Sequence, residues 1–77
     1  MAYQSKWTTS AAKMLFASPD RDFINMSFKK FCENPSSHYW QIESLKNVFS
    51  VVFGSYKITF EKRNKALTVI RLEGINS

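Results

Sequence analysis

The chain has 77 residues, of which 44% are hydrophobic and 16% aromatic, and this predicts one globular domain spanning residues 1–77 rather than a disordered chain. Eleven Lys and Arg against six Asp and Glu give a formal net charge of +5, which favours nucleic acid or an acidic protein as partner. The single Cys and single His exclude a disulfide framework and argue against a zinc site, and no apolar run approaches the roughly 18 residues of a membrane span. We therefore expect a cytoplasmic protein without metal, other cofactor or membrane contact.

The N-terminal segment predicts a strand followed by a short helix. Polar and apolar residues alternate over residues 2–7, with Tyr3 and Trp7 on one face, which is typical of a strand. Three consecutive residues that suit a helix N-cap, at positions 8–10, precede a run of good helix formers over residues 11–16. A short helix is therefore expected directly after the strand.

A second helix is predicted from its start residues and its apolar spacing. Ser18 suits the N-cap and Pro19 the first helical position. Asp20 and Asp22 follow, and the positive end of the helix dipole stabilises acidic side chains at such positions. Apolar residues then recur at the i, i+4, i+7 spacing of one buried face, at Ile24, Phe28 and Phe31. We expect this helix to end near Glu33, before Pro35.

The C-terminal half of the chain predicts three strands in an antiparallel meander. β-Branched and aromatic residues fill Val48–Phe53 and Ala66–Leu72, and residues 56–61 between them alternate strictly. Turns are expected at Gly54 and Asn64, two residue types that tolerate a left-handed backbone. The order strand, helix, helix, three strands predicts an α+β fold, with an antiparallel sheet of about four strands and an N-terminal helical hairpin packed on one face.

Few residues offer familiar catalytic chemistry. The chain has only two glycines, which excludes a glycine-rich phosphate-binding loop. His38 falls in residues 35–40, whose composition predicts a loop, and a surface histidine is favoured over a catalytic base because no orienting group is evident. Cys32 falls on the apolar side of the second helix, where a buried thiol is inert. Residues 41–46 fit either a helical turn or an irregular approach to the sheet.

Basic residues concentrate on and beside the meander. They are Lys46, Lys57, Lys62, Arg63, Lys65 and Arg71. Lys57 alternates with the apolar positions of its strand and Arg71 interrupts an apolar run, so both are expected on the outer face of the sheet, within reach of one another. With Trp40 and Tyr56 available to stack on bases, these cations predict an RNA-binding surface. The alternative, weighted equally, is a solvated sheet face that binds nothing.

Five segments follow one another along nearly the whole chain in a recognisable order. They are Tyr3–Lys13, Arg21–Pro35, Ser44–Asn47, Gly54–Glu61 and Val69–Leu72. Their order and spacing resemble the RelE/ParE superfamily of type II toxin–antitoxin toxins, and the strand that begins Gly-Ser-Tyr-Lys-Ile is closer to the RelE branch. The order of elements predicted from the residues agrees with the fold that this resemblance implies.

The resemblance implies a small basic toxin that is neutralised by a protein antitoxin. It implies inhibition of translation, either by ribosome-dependent mRNA cleavage as an endoribonuclease (an mRNA interferase) or by binding of the ribosome or RNA. Lys57 matches a strand arginine that contacts the scissile phosphate, and Arg71 matches an arginine common in the last strand, so these two are the catalytic candidates. The remaining basic and aromatic candidates are expected to bind RNA, namely Lys46, Tyr56, Lys62, Arg63, Lys65 and Trp40.

The sequence departs from RelE-type toxins in two strands. Where the last strand of those toxins continues to further Arg, His or Tyr residues, the 77 residues of this sequence contain none after Leu72. Where those toxins present lysines as acid and base, Phe49–Phe53 contains no basic residue. RNA cleavage needs a base for the 2′-hydroxyl, an acid for the leaving oxygen and cations for the transition-state charge, and only the cations are evident. A ParE-like gyrase inhibitor and a catalytically inactive RelE-fold binding module of phage or plasmid origin therefore stay open as alternatives.

Overall fold

The structure is a computed structural model that describes residues 3–35, 39–41 and 46–75, with the middle segment described by its backbone only. The elements are β1 (Gln4–Trp7), α1 (Thr9–Ala17), α2 (Arg21–Glu33), β2 (Tyr39–Gln41), β3 (Val48–Phe53), β4 (Tyr56–Arg63) and β5 (Ala66–Gly74). Within the described ranges the strands form a single sheet in the order β1-β5-β4-β3-β2, and both helices contribute to a core shared with one face of that sheet. The predicted α+β class, with a helical hairpin on one face of the sheet, is confirmed.

The three-stranded meander forms as predicted. β3 pairs antiparallel with β4, and β4 pairs antiparallel with β5. Gly54 adopts φ of 60° in the first turn and Asn64 adopts φ of 50° in the second, which is the left-handed conformation expected of both residues.

The sheet is mixed rather than purely antiparallel, because β1 pairs in parallel with β5, from Gln4 opposite Ala66 to Trp7 opposite Val69. A hairpin turn forces its two strands to run antiparallel, but β1 is connected to the other strands by the two helices and not by a hairpin. The alternation of polar and apolar residues in β1 therefore does not determine the direction in which it runs. The prediction of a loop over residues 35–40 is also wrong in part, since β2 covers residues 39–41 and pairs with β3. Three residues are too few to show a strand period in the sequence.

The junction between the helices differs from the prediction. Thr8 caps α1 as expected, its hydroxyl accepting from the Ala11 N–H at 3.2 Å. Ser18, however, is the C-cap of α1 rather than the N-cap of α2, which begins only at Arg21. The Ser18 hydroxyl accepts a hydrogen bond from the Asp20 N–H at 3.2 Å. Ser18 therefore pairs a backbone N–H of the turn between the helices and not one in the first turn of α2.

The core lies between the helices and one face of the sheet. The predicted apolar face of α2 is buried, with Phe28 at its centre. The Phe28 ring centroid lies 5.8 Å from those of Trp7 and Phe60, so the edge strand β1 and the central strand β4 both contact the helix at this ring. Because the helices cover this face, the opposite face of the sheet is the one open to a macromolecule. No helix in the described ranges is long and apolar enough to cross a membrane.

Candidate functional site

The face of the sheet turned away from the helices, called here the outer face, carries the two catalytic candidates. In β4 the side chain of Ile58 is fully buried toward the helices, so Lys57 and Thr59 point the other way. The register of β4 and β5 adds Arg71, opposite Thr59, and Glu73, opposite Lys57, to the same face.

Lys57 and Arg71 occupy diagonal positions on the outer face. Diagonal neighbours in an antiparallel pair are roughly 7–8 Å apart, which lets two long cationic side chains reach one phosphate group. The Arg71 side chain is 67% exposed, and its Nε lies 3.5 Å from Oε1 of Glu73. The structure therefore brings the two cations to one surface, with a carboxylate beside them.

A β-bulge in β5 shapes this part of the face. Thr59 pairs with Arg71 but Phe60 pairs with Val69, so Ile70 is an extra residue on the β5 side. A bulge bends its strand and redirects the neighbouring side chains, and here it lies directly next to Arg71. The sequence did not predict it, because Val69 and Ile70 are both apolar and show no break in the pattern.

β3 supplies no cation to the outer face within the described residues. Ser50 lies opposite Thr59, is fully buried, and has its hydroxyl oxygen 3.3 Å from that of Thr59. Val52 lies opposite Lys57 and is partly exposed. These two positions carry a buried hydroxyl and an apolar group, neither of which is suited to transferring a proton to or from a substrate.

Tyr56 is not brought together with Lys57 and Arg71. As the residue before Lys57 in β4, it points to the helix side of the sheet. Its hydroxyl donates to Oδ2 of Asp20 at 2.6 Å and accepts from the Ser18 hydroxyl at 3.4 Å. The side chain thus ties β4 to the junction of the two helices.

The three cations at the β4–β5 turn are divided between the two sides of the sheet. Lys62 lies on the helix side, with Nζ 5.3 Å from the ring centroid of Tyr3. Arg63 lies on the outer side, with Nε 2.8 Å from Oε1 of Glu61. Lys65 is exposed in the turn itself. A ligand on the outer side of the sheet can therefore contact Arg63 and Lys65, whereas Lys62 lies on the helix side.

The other predicted residues lie at the β2–β3 side. Trp40 is in β2, with its backbone paired to Ser50, and its side chain is outside the described part of the chain. Lys46 is exposed in the turn that leads into β3. His38 lies outside the described residues.

Sequence reasoning missed the contribution of β1. Parallel pairing with β5 places Lys6 opposite Thr68, and Thr68 in turn lies opposite Glu61 of β4. Lys6 alternates with the inward-facing Trp7 and is exposed, so it joins the outer face. The alternation of polar and apolar residues over positions 2–7 predicted on which face of the strand Lys6 lies. It did not predict that β5 is the strand beside it.

Neither thiol nor metal chemistry is supported in the described part of the chain. Burial raises the pKa of the Cys32 thiol to about 11, so the thiol is protonated at neutral pH. No three His, Cys, Asp or Glu side chains among the described residues are grouped as a metal site requires. The polar groups that the described residues present on the outer face are therefore cations, the carboxylates of Glu61 and Glu73, and hydroxyls.

Comparison with solved structures gives an independent view of the fold. A chain in the crystal structure of the RelBE2 toxin–antitoxin complex from Mycobacterium tuberculosis matches this protein with a TM-score of 0.78 and 19% sequence identity. The match covers 96% of this chain and 99% of that chain. No protein-family model matches the sequence, and no curated protein matches it. At this identity the likeness establishes the fold, and it confirms the fold expected from the resemblance to RelE-type toxins.

Proposed function

We propose that this protein is the toxin of a type II toxin–antitoxin system that inhibits translation by acting on RNA at the ribosome. The observation that carries the proposal is the pair Lys57 and Arg71, which share the outer face of a fold found in a toxin–antitoxin complex. Arg and Lys are the side chains that most often hold phosphate oxygens. Their diagonal spacing suits them to bind one backbone phosphate, or to stabilise its charge during cleavage.

Expression in growing bacteria tests this proposal. We expect growth arrest with cleaved mRNA or with RNA-bound protein, and loss of arrest in the Lys57→Ala, Arg71→Ala double variant. Arg71 is exposed and Lys57 is half-buried on the sheet surface, and surface charges contribute little to stability, so the variant should remain folded. Replacing Lys13 and Lys29, two exposed helix lysines, removes the same charge elsewhere and should leave the arrest intact. A folded double variant as toxic as the parent would contradict the proposed site, and arrest with DNA damage would favour gyrase as target.

The same proposal includes an antitoxin partner that covers the helical pair. Four large apolar side chains are exposed on α1 and α2, at Met14, Phe16, Phe23 and Met26. Phe16 is 71% exposed, the largest exposed fraction of the four, and its ring therefore offers the most apolar surface for a partner to cover. An apolar helix surface of this kind suits an amphipathic segment of another protein.

Co-purification with the product of an adjacent small reading frame tests the partner. Phe16→Ala should weaken that complex by about tenfold or more, as expected of a buried aromatic anchor. Val52→Ala, which removes an exposed apolar group from the outer face, is the matched control and should change little. Equal affinity of the Phe16 variant and the parent would exclude this surface.

A second candidate function is favoured by β3. The buried Ser50 and apolar Val52 leave the described part of this strand without an acid or base, so a module that binds RNA without cleaving it also fits the outer face. Purified protein distinguishes the two. RNA binding without cleavage products, on the ribosome and off it, supports the binding module, whereas products ending in a 2′,3′-cyclic phosphate support the nuclease.

A further inference from the structure

We infer that a groove between β1 and the β4–β5 turn binds the phosphate backbone of RNA, at a position separate from Lys57 and Arg71. The inference rests on the proposed RNA-directed function and adds a binding site to it. The polar and cationic side chains that line the groove are Gln4, Lys6, Arg63, Asn64, Lys65 and Thr68.

Parallel strand pairing builds this groove from two distant parts of the sequence. Gln4 lies opposite Ala66 and Lys6 opposite Thr68. The Gln4 N–H also donates to the Lys65 carbonyl oxygen at 2.8 Å, which fastens the start of β1 to the end of the turn. The lysines of the two segments are therefore held side by side on ordered backbone.

The positive charge of the groove is only partly compensated. Arg63 has a carboxylate partner in Glu61, at 2.8 Å. Lys6 and Lys65 are exposed and make no ion pair with any described residue. Arg71, in contrast, lies near Glu73. In the groove, an anionic ligand would therefore contact two cations, Lys6 and Lys65, that no described carboxylate neutralises.

The lining chemistry favours a phosphate backbone over a protein partner. Phosphates are held by Lys and Arg together with Ser, Thr, Asn and Gln side chains, which is the composition of this groove. Protein interfaces depend instead on buried aromatic and apolar anchors. Trp7 also reaches the groove, but its ring packs at 5.8 Å against Phe28 in the core, and the exposed apolar side chains of the helices lie elsewhere.

The groove and the Lys57 and Arg71 pair are too far apart to hold the same phosphate. Arg63 follows Lys57 by six positions in β4, which is about 20 Å of strand at 3.3 Å per residue. Both lie on the outer side of one sheet, so a single RNA chain can contact them in succession. The groove would then contribute affinity and its salt dependence, and the Lys57 and Arg71 pair would contribute any chemistry.

The test is the salt dependence of binding to an unstructured single-stranded RNA and to purified ribosomes. Removal of one lysine that neutralises a phosphate lowers the slope of log affinity against log salt by about 0.7 for single strands, so Lys6→Gln, Lys65→Gln should lower it by about 1.4. The Lys13→Gln, Lys29→Gln protein has the same net charge and should keep the parent slope.

Three results would overturn the inference, and they have different meanings. A parent protein that binds neither RNA nor ribosomes overturns the proposed function together with the groove. RNA binding that depends on Lys57 and Arg71 but is identical in the groove variant and its control overturns the groove alone. Loss of antitoxin binding in the groove variant, with RNA binding intact, assigns the groove to a protein partner instead.

Discussion

Replacement of Gly54 by alanine tests how the turn between β3 and β4 is held against α2. Gly54 has φ of 60°, and this left-handed conformation costs a residue with a side chain roughly 1–2 kcal/mol. A Cβ at this position would also lie 3.3 Å from Cε2 of Phe23. That ring is 52% exposed and can move by a few tenths of an ångström, so the contact adds little to the cost. We expect the free energy of unfolding to fall by about 1–2 kcal/mol, which lowers Tm by about 4–16 °C in a domain of this size.

The Gly74→Ala variant is the matched control for this experiment. A Cβ on Gly74 meets no atom within 4 Å, and its φ lies outside the left-handed region. The control should be neutral, or more stable by about 0.4–1 kcal/mol, because alanine restricts the unfolded chain. Thermal unfolding followed by circular dichroism measures both variants. If Gly54→Ala melts no lower than Gly74→Ala, the strain argument for this turn is wrong.

Two further predictions concern groups on the helix side of the sheet. Tyr56→Phe should cost about 1 kcal/mol in urea unfolding, because it removes the 2.6 Å hydrogen bond to Asp20, and unchanged stability would contradict that bond. Burial raises the Cys32 pKa from 9.0 to about 11, so the folded state holds this proton more tightly than the unfolded state. The free energy of unfolding is therefore unaffected by this thiol below pH 9.0. It should fall by about 3 kcal/mol as the pH rises through 11, because the thiol then ionises more readily in the unfolded state. Cys32→Ala should remove this part of the alkaline loss, and identical pH profiles would refute it.

Local periodicity accounts for the parts of the fold that were predictable from the sequence. The buried face of α2 and the alternation of β4 depend on residues close in sequence, and the turns at Gly54 and Asn64 depend on single residue types. The shared face of Lys57 and Arg71 depends in addition on the bulge at Ile70. Leu67 and Val69 face the helices, so strict alternation would turn Arg71 toward the helices as well, and the extra residue in β5 is what places it on the outer face.

The missed features depend on contacts between distant segments or on very short stretches. The place of β1 beside β5 is set by packing of the helices on the sheet, so Lys6 was not linked to the β4–β5 turn. The bulge at Ile70 is hidden in a continuous apolar run. Tyr56 was assigned to RNA by its chemical type, although alternation with Lys57 already placed the two side chains on opposite faces.

The separation of apolar and cationic surfaces constrains how the proposed antitoxin could neutralise this protein. Among the residues whose side chains the structure describes, the exposed Phe and Met side chains lie on the helices, and the cations of the candidate site lie on the opposite side of the sheet. A partner confined to the helices would leave Lys57 and Arg71 open to a small RNA and would act only by preventing access to the ribosome. A partner that also reached the outer face would need acidic residues there, because complementary charge is what favours binding to a cationic surface. RNA oligonucleotide binding by the complex distinguishes the two, since it survives in the first arrangement and is abolished in the second.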